Sequence, residues 1–445
     1  MILPAHVLEC IQLLESNGYE AYAVGGCVRD ALLGLQAQDY DLCTDAAPQQ
    51  IKAVFSHYRL VLSGEKHGTV AVITSGGLVE ITTYRTEGGY QDNRHPDWVR
   101  FVTDIREDLS RRDFTINAMA FSPKRGLTDP WGGRHDLDTG VLRAVGDPSV
   151  RFSEDALRIL RGMRFAARYH LQVEPQTQQA MLDQAYLLPH LAAERVFSEL
   201  CKLIVLVDAQ DLLQYAPVFA KIIPELQPTM GFDQRNPHHA YDVYTHTAYV
   251  TAAVPGILSL RLAALLHDIG KVPTFTLDDA GCGHFLGHAK ASAQMAQTIL
   301  LRLKAPTALR EQVVNLIARH MTIPEPDKRL LRRRLGQYGV EETNLLLQLQ
   351  QADFRSKGTV ADDPVFDAIA RLLDQIIQED ACLRIHDLAI NGHDLIALGF
   401  TPGKQIGRCL SYLLQQVQDE LLCNSKEPLL QEARHFLQTQ QEDIP

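Results

Sequence analysis

Hydrophobic and polar residues follow different patterns in the first third of the chain and in the rest. Between residues 20 and 146, short apolar runs such as "AYAV", "TVAVIT", "LVEITTY" and "VRFVT" are rich in β-branched residues and bounded by glycines, a pattern typical of strands. From about residue 150 onward, leucine, alanine and glutamine recur with a helical period. We therefore predict an α+β fold: a head with helices on a mixed sheet, then an all-α neck, body and tail.

Glycine- and proline-containing segments divide this pattern into four parts. The residue pattern changes from strand-like to helical after Gly146-Asp147-Pro148, and further breaks in the helical pattern fall at 224–237 and 358–364. The predicted parts are residues 1–147, 148–223, 224–360 and 361–445. The first 20 residues predict an amphipathic helix and not a signal peptide, because they lack a basic start and carry Glu9 and Glu15.

Composition narrows the class of protein. The chain has 445 residues, 46% of them hydrophobic, and no run of 18 apolar residues, which argues against a membrane partner. Its eight cysteines are scattered without a CxxC pair, which favours reduced thiols and a cytoplasmic location. The net charge of −11 at first disfavours nucleic acid. Basic clusters at 111–112, 158–168 and 328–334 could still provide local basic surfaces.

A glycine pair followed by two acidic residues is the most informative candidate site. Asp39 and Asp41 at i and i+2 would converge on one side of a strand, and paired carboxylates can hold Mg²⁺ against nucleotide phosphates. Gly25 and Gly26 would let the backbone approach a phosphate chain, and Arg29 could bind a phosphate. Taken singly, a D-x-D or a GG is more often a solvated turn. Their order within one short segment favours the functional interpretation.

Two further segments carry polar residues suited to a nucleotide. Glu80, on a predicted strand, could be a third catalytic carboxylate or only a salt-bridged glutamate. The segment "RRDFTINAMA" predicts the start of a helix. In it, Arg111 and Arg112 could meet phosphates, Asp113 could accept from a ribose hydroxyl, and Asn117 could orient either. The structural alternative is a capped helix with Asp113 near the N-cap.

The segment "RFSEDALRILRGMRFAARY" predicts a helix over 151–169 with Asp155 and Arg158 on one face. An isolated pair of this kind is usually a weak surface ion pair. As a base-reading pair, the carboxylate would accept from an exocyclic amine while the guanidinium donates to a ring nitrogen. Cytosine and adenine satisfy both groups, whereas guanine and uracil are repelled by both.

With these motifs in order, the chain resembles the bacterial class II tRNA nucleotidyltransferases, the CCA-adding enzymes. The resemblance covers about residues 20–200 and rests on "VGGCVRDALLG…DYDL", "KHGTV", "EITTYRTEGGYQDNRHP", "RRDFTINAMA", "EDALRILR" and "ERVFSEL". It implies that Asp39 and Asp41 bind metal, and that Glu194 and Arg195 brace the neck. Together with the residue arguments, the predicted catalytic residues are Asp39, Asp41 and Glu80. The predicted nucleotide-binding residues are Gly25, Gly26, Arg29, Arg112, Asp113, Asn117, Asp155, Arg158 and Arg161.

The implied reaction is attack of a tRNA 3′-hydroxyl on the α-phosphate of CTP or ATP, with two Mg²⁺ ions and release of pyrophosphate. Bacterial poly(A) polymerases carry a "GRRF"-like segment where this chain has "GEKHGTV". Enzymes that add only CC lack a flexible loop, and the intact "TEGGYQDNRHPDW" favours A addition. An enzyme that adds only the terminal A stays an open alternative. The tail segment "NGHDLIALGFTPGKQIGRCL" resembles the family's tail, which implies contact with tRNA.

The body carries a second set of candidate ligands, in "HHAYDVYTHT", "LAALLHDIGK", "GHAKASAQMA", "IARHM" and "QADFRSKG". Imidazole and carboxylate groups suit a transition metal, although a single histidine is more often a core residue. The set resembles the HD phosphohydrolase domain, which implies hydrolysis of phosphate monoesters or 2′,3′-cyclic phosphates; a structural metal site is the alternative. His393-Asp394 lacks such partners and is predicted to be structural. The predicted ligands are His246, His267, Asp268 and Asp353, joined in a dinuclear centre by His288 and His320.

Two other functions remain open at this point. The chain could be an HD phosphohydrolase that acts on RNA ends and uses the head only to hold RNA. It could also be a non-enzymatic RNA-binding protein, if neither metal site had catalytic activity.

Overall fold

The computed structural model describes residues 1–88, 98–358, 364–379 and 382–442. The chain forms two compact units: residues 1–227 with 299–306, and residues 228–298 with 307–445. The mixed sheet near the N-terminus and the helical remainder confirm the predicted fold class. The finer division into four parts stays a prediction.

The first unit contains the predicted head and neck. Its strands are β1 (Ala21–Val24), β2 (Asp41–Thr44), β3 (Arg59–Val61), β4 (Thr69–Thr74), β5 (Gly77–Thr83), β6 (Arg85–Gly88), β7 (Trp98–Phe101), β8 (Ala120–Ser122), β9 (Gly126–Thr128), β10 (Val141–Leu142) and β11 (Gln172–Val173). Its helices are α1 (Ala5–Ser16), α2 (Gly26–Leu32), α3 (Pro48–Val54), α4 (Ile105–Ser110), α5 (Gly133–Asp138), α6 (Pro148–Glu154), α7 (Leu157–Tyr169), α8 (Pro175–Asp183), α9 (Ala193–Ile204), α10 (Ala209–Gln214) and α11 (Ala216–Ile222).

A seven-stranded sheet organises the head, in the order β3-β4-β5-β2-β1-β8-β9. Within it β2 and β5 are parallel, and the other neighbours are antiparallel. The register sets Asp41 opposite Glu80 on β5 and opposite Val24 on β1. This pairing brings a candidate carboxylate from each of two strands next to the glycine pair that follows β1.

The apolar pattern explains how the head packs. The predicted N-terminal helix is present as α1 and buries Val7, Cys10, Ile11 and Leu14, which recur at helical spacing on one face. The apolar runs recognised as strands become β1, β4, β5 and β7. Burial alternates along β5, where Val79, Ile81 and Thr83 are buried.

The helix predicted for "RRDFTINAMA" is wrong. The structure has one 3₁₀ turn at Thr115–Asn117, followed by β8. The backbone here pairs with a distant segment instead of with its own preceding turn. Thr115 N–H donates to the Arg143 carbonyl at 2.9 Å, and Val145 N–H donates to the Asp113 carbonyl at 3.1 Å. Tertiary pairing therefore overrides the local preference for a helix.

The single helix predicted over 151–169 is also wrong, because it breaks between α6 and α7. Asp155 has extended backbone angles, φ −143° and ψ 100°. Its side chain accepts from the Leu157 N–H at 3.1 Å. An aspartate that binds a nearby backbone N–H competes with the helix ladder, and here it separates the two helices.

The second unit is mainly helical. Its elements are α12 (Val243–Ala253), α13 (Leu258–Leu266), β12 (Thr276–Leu277), β13 (Gly283–His284), α14 (His288–Arg302), α15 (Thr307–Arg319), α16 (Lys328–Arg355), α17 (Pro364–Gln378), α18 (Gly392–Ala397), α19 (Lys404–Gln418) and α20 (Lys426–Glu442). A kink at Gly339, with φ +81°, interrupts α16. Leu395, Cys409, Leu413 and Leu429 contribute to a buried cluster among the last three helices. Among the described residues, no helix is long and apolar enough to cross a membrane.

The basic cluster at 328–334 does not form an open basic surface. Ion pairs join Arg332 to Glu379 and Glu420, Lys328 to Glu379, and Arg333 to Asp419. Acidic side chains that follow α17 and α19 therefore neutralise much of its charge. This cluster gives weaker support for nucleic-acid binding than its sequence suggested.

Candidate nucleotide-binding cleft and metal centre

A cavity of about 460 Å³ opens in the first unit, beside the first residue of β2. All of the predicted nucleotide-binding residues line it, together with Asp41. Asp39 and Glu80 are not among its lining residues. The cavity is also lined by Arg111, which the sequence suggested as a phosphate contact. Three further lining residues had not been assigned to nucleotide binding from the sequence: Leu157, Phe165 and Arg195.

The candidate carboxylates differ from the predicted arrangement. The strand begins at Asp41, so Asp39 lies in the preceding loop and the argument from alternate strand positions does not apply to it. The neighbour across the sheet is instead Glu80. Desolvation and then the charge of Glu80 raise the pKa of Asp41, against the opposing charge of Arg112. A cation would relieve this repulsion, which fits a metal-binding role.

Gly25 allows Arg112 to lie close to the backbone. Gly25 has φ +71°, a conformation that side-chain-bearing residues rarely adopt. A Cβ there would come within 2.9 Å of Arg112 Nη1, too close without a shift of that side chain. A Cβ on Gly26 would make only an ordinary contact with Arg29 Nη2, at 3.6 Å. The missing side chain of Gly25 therefore lets the Arg112 guanidinium lie next to the β1–α2 turn.

Arg29 is buried and held by two polar partners. Its Nη1 donates to Asn117 Oδ1 at 2.5 Å, while Nε and Nη2 donate to Asp30 Oδ1 at 2.9 and 2.7 Å. Asn117 Nδ2 also donates to Asp113 Oδ1 at 3.1 Å, and its predicted role in orienting these groups stays a prediction. One amide thus connects Arg29 with Asp113.

Asp113 is an ionised carboxylate at the wall of the cleft. Its Oδ2 accepts from Arg161 Nε at 2.9 Å and Nη2 at 2.6 Å. Burial alone would raise its pKa, but Arg161, with help from Asn117, lowers the pKa of Asp113 to about 2. Arg161 therefore keeps this group charged and able to accept hydrogen bonds.

Asp155 and Arg158 line the same cavity, but their side chains bind different partners. Arg195 Nη2 donates to Asp155 Oδ2 at 3.1 Å, and Arg158 Nη1 donates to Glu154 Oε2 at 2.8 Å. Arg158 Nη2 also donates to the Arg111 carbonyl at 3.0 Å. Sequence reasoning missed Glu154, although its i, i+4 spacing from Arg158 is a usual signal for an ion pair.

Arg111 lies in the wall of the cleft between two acidic side chains. The Arg111 guanidinium binds Asp108 at 2.8 Å and Glu87 at 3.4 Å, so it supports the cleft wall and is not free for phosphates. Glu87 lies on β6, which pairs with β7. Most of "TEGGYQDNRHPDW", residues 89–97, lies outside the described residues, so its proposed role in A addition stays untested.

In the second unit, the six predicted ligands converge on one buried site. Their positions are set by α12, the end of α13, the start of α14, the end of α15 and α16. His246 Nε2 is 3.0 Å from Asp353 Oδ1 and 3.5 Å from Asp268 Oδ2. His288 Nε2 is 3.5 Å from Asp268 Oδ1 and 3.3 Å from His320 Nε2. Asp268 therefore presents one oxygen to each half of the cluster.

All four histidine rings are anchored in the same way. The Nδ1 atoms lie 2.7–3.2 Å from backbone carbonyls, which accept their hydrogens. With Nδ1 held in this way, each ring can present its Nε2 to a cation at the centre, as is typical of metal-binding histidines. Burial opposes protonation of His267, but the charge of Asp268 raises its pKa. His267 Nε2 and Asp268 Oδ2 are 3.2 Å apart. Among the described residues His267 Nε2 has no hydrogen-bond partner, whereas Asp268 Oδ2 also pairs with Lys271 Nζ at 2.7 Å. Buried atoms without partners are expected where a cation binds.

The charges of the cluster also suit a cation. Burial and the neighbouring His267 lower the pKa of His320 to about 4, so that ring is neutral at physiological pH. Burial opposes ionisation of Asp268, but His267 and Lys271 hold its pKa well below the usual range. Two ionised carboxylates, Asp268 and Asp353, thus meet imidazole nitrogens in a buried space.

A cleft of about 240 Å³ lies over the cluster and is lined by basic groups that the ligand prediction did not include. Lys271 Nζ binds Asp268 Oδ2 at 2.7 Å and Gln234 Oε1 at 2.9 Å. Lys357 and His239 line the same cleft. Burial and then the Lys271 charge lower the pKa of His239 to about 3, so its ring is neutral.

His393-Asp394 is separate from this cluster, as predicted. Asp394 pairs with Lys426 at 2.9 Å and accepts from the Asn391 N–H at 3.0 Å. These contacts cap α18, and the structural interpretation is confirmed.

Three family models match the chain. The Poly A polymerase head domain matches residues 21–143, the RNA and SrmB binding site of polymerase A matches 170–230, and tRNA nucleotidyltransferase domain 2 matches 281–433. None of these matches concerns an HD domain.

Relatives cover the chain almost completely. The CCA-adding enzyme of Latilactobacillus sakei subsp. sakei (strain 23K) is 33% identical over 97% of this chain and 98% of its own length. The CCA-adding enzyme of Lactiplantibacillus plantarum is 34% identical over 95% and 94%. The crystal structure of the Bacillus stearothermophilus CCA-adding enzyme in complex with CTP superposes with a TM-score of 0.72, 26% identity and full coverage of both chains. By its motifs, fold and relatives, this chain belongs to the bacterial class II CCA-adding enzymes, which are tRNA nucleotidyltransferases.

Proposed function

We propose that this protein adds CCA to the 3′ end of tRNA, without a template, from CTP and ATP. The observation that carries the proposal is that Asp155 and Arg158 line the same cleft as Asp41 and Arg29. One nucleotide in that cleft would have its base, sugar and phosphates near groups of matching chemistry. The CTP complex of the Bacillus stearothermophilus relative supports this assignment.

Base selection would come from Asp155 and Arg158. The Asp155 carboxylate accepts from the exocyclic amine of cytosine or adenine, and Arg158 donates to the adjacent ring nitrogen. Arg195 holds the carboxylate, while Glu154 and the Arg111 carbonyl hold the guanidinium. The protein holds both groups in place. They therefore cannot rearrange to match uracil or guanine, on which the hydrogen-bond donor and acceptor positions are reversed.

Sugar and phosphates would bind on the other side of the cleft. Asp113 accepts from a ribose hydroxyl, and Arg29 and Arg112 donate to phosphate oxygens beside the glycine turn. Asp41, with Asp39 and Glu80, would hold Mg²⁺, and the raised pKa of Asp41 supports a cation there. When bound, the metal supplies activation of the tRNA hydroxyl and charge stabilisation of the leaving pyrophosphate.

The decisive experiment is nucleotide incorporation into three tRNA transcripts, ending before CCA, after C and after CC. Each is offered CTP and ATP, singly and together, with Mg²⁺. Extension of all three to CCA and no further is the expected result. Extension of only the CC-ended transcript would identify an A-adding enzyme, and a long A tail would identify a poly(A) polymerase. No extension would refute the proposal and favour a hydrolase acting on RNA ends.

A second function is supported by the buried cluster in the second unit. We infer that His246, His267, Asp268 and Asp353, with His288 and His320, hold a divalent transition metal in an HD-type phosphohydrolase site. The anchored histidine rings fit this group, and so does the buried His267 Nε2, which has no hydrogen-bond partner among the described residues. The metal would supply a water activated for attack on phosphorus, and Lys271, Lys357 and His239 would bind the phosphoryl oxygens.

Hydrolysis of phosphate monoesters and 2′,3′-cyclic phosphates by protein loaded with Mn²⁺, Co²⁺ or Ni²⁺ tests this function. His267→Ala should abolish hydrolysis, whereas the matched change His393→Ala, in the other His-Asp dipeptide, should leave it intact. Asp41→Ala should also leave hydrolysis intact, which excludes a contribution of the head. Bound metal without turnover in the wild-type protein would instead mean a structural site.

A further inference from the structure

Tyr169 is the last residue of α7 and contacts both members of the Arg29–Asp30 pair, although it does not line the cleft. Its hydroxyl donates to Asp30 Oδ1 at 3.0 Å, the same oxygen that accepts from Arg29 Nε and Nη2. Its ring lies against the Arg29 guanidinium, with Cζ 4.5 Å from the ring centroid. Tyr169 thus holds Arg29 directly through its ring and indirectly through Asp30.

These contacts leave Arg29 able to bind a further anion. Of its five N–H groups, Asp30 and Asn117 occupy three, namely Nε and one hydrogen on each terminal nitrogen. Among the residues that the structure describes, no partner binds the other N–H of either terminal nitrogen, so one on each remains for a ligand. Two N–H groups in one plane suit two oxygens of a phosphate chain, but only while the guanidinium keeps its orientation.

The position of Tyr169 is itself well determined. His170, with φ +53°, ends α7 immediately after it, and Ile159, Leu160 and Met163 bury the preceding turns of the helix. Phe165, one turn earlier, stacks on Tyr169 and lies 5.3 Å from Arg29 Cζ. A helix packed in this way can hold a side chain on a neighbouring element within a narrow range of orientations.

We propose that Tyr169 is a positioning residue for nucleotide binding, which orients the Arg29 guanidinium toward the phosphate chain. The proposal rests on the proposed phosphate-binding role of Arg29. It adds a residue of the neck helix to a phosphate site that the family motifs assign to the head alone.

The test compares Tyr169→Phe, which keeps the ring, with Tyr169→Leu, which removes ring and hydroxyl. Tyr186→Phe is the matched control, because that tyrosine is 56% exposed and is not part of the cleft. We expect KM for both CTP and ATP to rise about 3- to 10-fold in Tyr169→Phe and about 10- to 30-fold in Tyr169→Leu, since one and then two contacts with a charged group are lost. The value of kcat and the preference for CTP over UTP should stay within about twofold of the wild type.

Two affinity measurements separate positioning from general damage. The ratio of CTP to CMP affinity should fall in both Tyr169 variants, because CMP lacks the β- and γ-phosphates. In an Asp30→Asn background, Tyr169→Phe should cause no further change, since its hydroxyl acts through that carboxylate.

Each alternative outcome has a defined meaning. An unchanged CTP to CMP ratio in Tyr169→Leu, together with a reduced ratio in Arg29→Ala, would refute the role of Tyr169 and leave that of Arg29. An unchanged ratio in Arg29→Ala would refute the proposed phosphate-binding function itself. Additive effects of Tyr169→Phe and Asp30→Asn would exclude the path through Asp30.

Discussion

Replacing Arg158 by alanine should relax base selection more than it weakens binding of the triphosphate. In the proposed complex, uracil would set its O4 against Asp155 and its N3–H against Arg158, so each contact pairs like with like. A buried polar group left unpaired costs about 1–3 kcal/mol. The alanine removes one of these two penalties, and the preference for CTP over UTP should therefore fall about 5- to 150-fold.

The assay is single-nucleotide incorporation into a tRNA transcript that ends before CCA, with kcat/KM measured for CTP and UTP. Arg158 also binds Glu154 and the Arg111 carbonyl, so thermal unfolding of the variant is measured alongside. Arg168→Ala is the control, since it removes the same charge from an exposed position on the same helix. A CTP to UTP preference equal to that of the wild type, in a folded variant, would refute the base-reading role of Arg158.

Three further predictions concern the other groups. Asp41→Ala should abolish incorporation while CTP still binds, and retained turnover measured with radiolabelled CTP would contradict the metal assignment. Arg161→Met should destabilise the first unit by at least about 2 kcal/mol at pH 7, because a carboxylate with a pKa of about 2 in the folded state, against about 3.8 unfolded, gains that much. Without Arg161, burial would instead favour the neutral form of Asp113. The wild-type contribution is present above the unfolded pKa and is lost as the pH falls toward 2, so the difference between variant and wild type in urea unfolding should be smaller near pH 2 than at pH 7; a difference that did not shrink would assign the effect to another group. His267→Ala should lower the transition-metal content, measured by elemental analysis after dialysis, whereas His393→Ala should not; equal metal content in both variants would place the metal elsewhere.

Much of the site could be predicted from short motifs, because their residues are brought together by local turns. One strand-to-helix turn contains Gly25, Gly26 and Arg29. A glycine directly after an apolar strand already suggests a turn with positive φ, so this part of the site can be read from the sequence. The candidate metal cluster was predicted from residues spread over more than a hundred positions. That prediction depended on the resemblance of its motifs to the HD phosphohydrolase domain. Periodicity by itself did not bring His246 and Asp353 together.

The errors in prediction share a physical cause. The residues around Asp155 favour a helix, yet its carboxylate accepts from the backbone N–H two residues on, at Leu157. Pattern matching does not weigh that competition. The segment around Thr115 looked helical because its pairing with Arg143 lies outside any local window. The partners Glu154 and Tyr169 act through contacts that depend on helix ends, which sequence reasoning locates least well.

The parallel pairing of β2 with β5 determines which changes of length the head can accept. Parallel neighbours need a long crossover, and here residues 45–76 make that connection through α3, β3 and β4. Insertions in the turns of this crossover, such as the one at Ser75-Gly76, would lengthen the path without moving Asp41 relative to Glu80. One residue inserted within β2 would turn the following side chains to the opposite face. A scan of single-residue insertions should therefore divide the head into permissive turns and a short forbidden core centred on the first residues of β2.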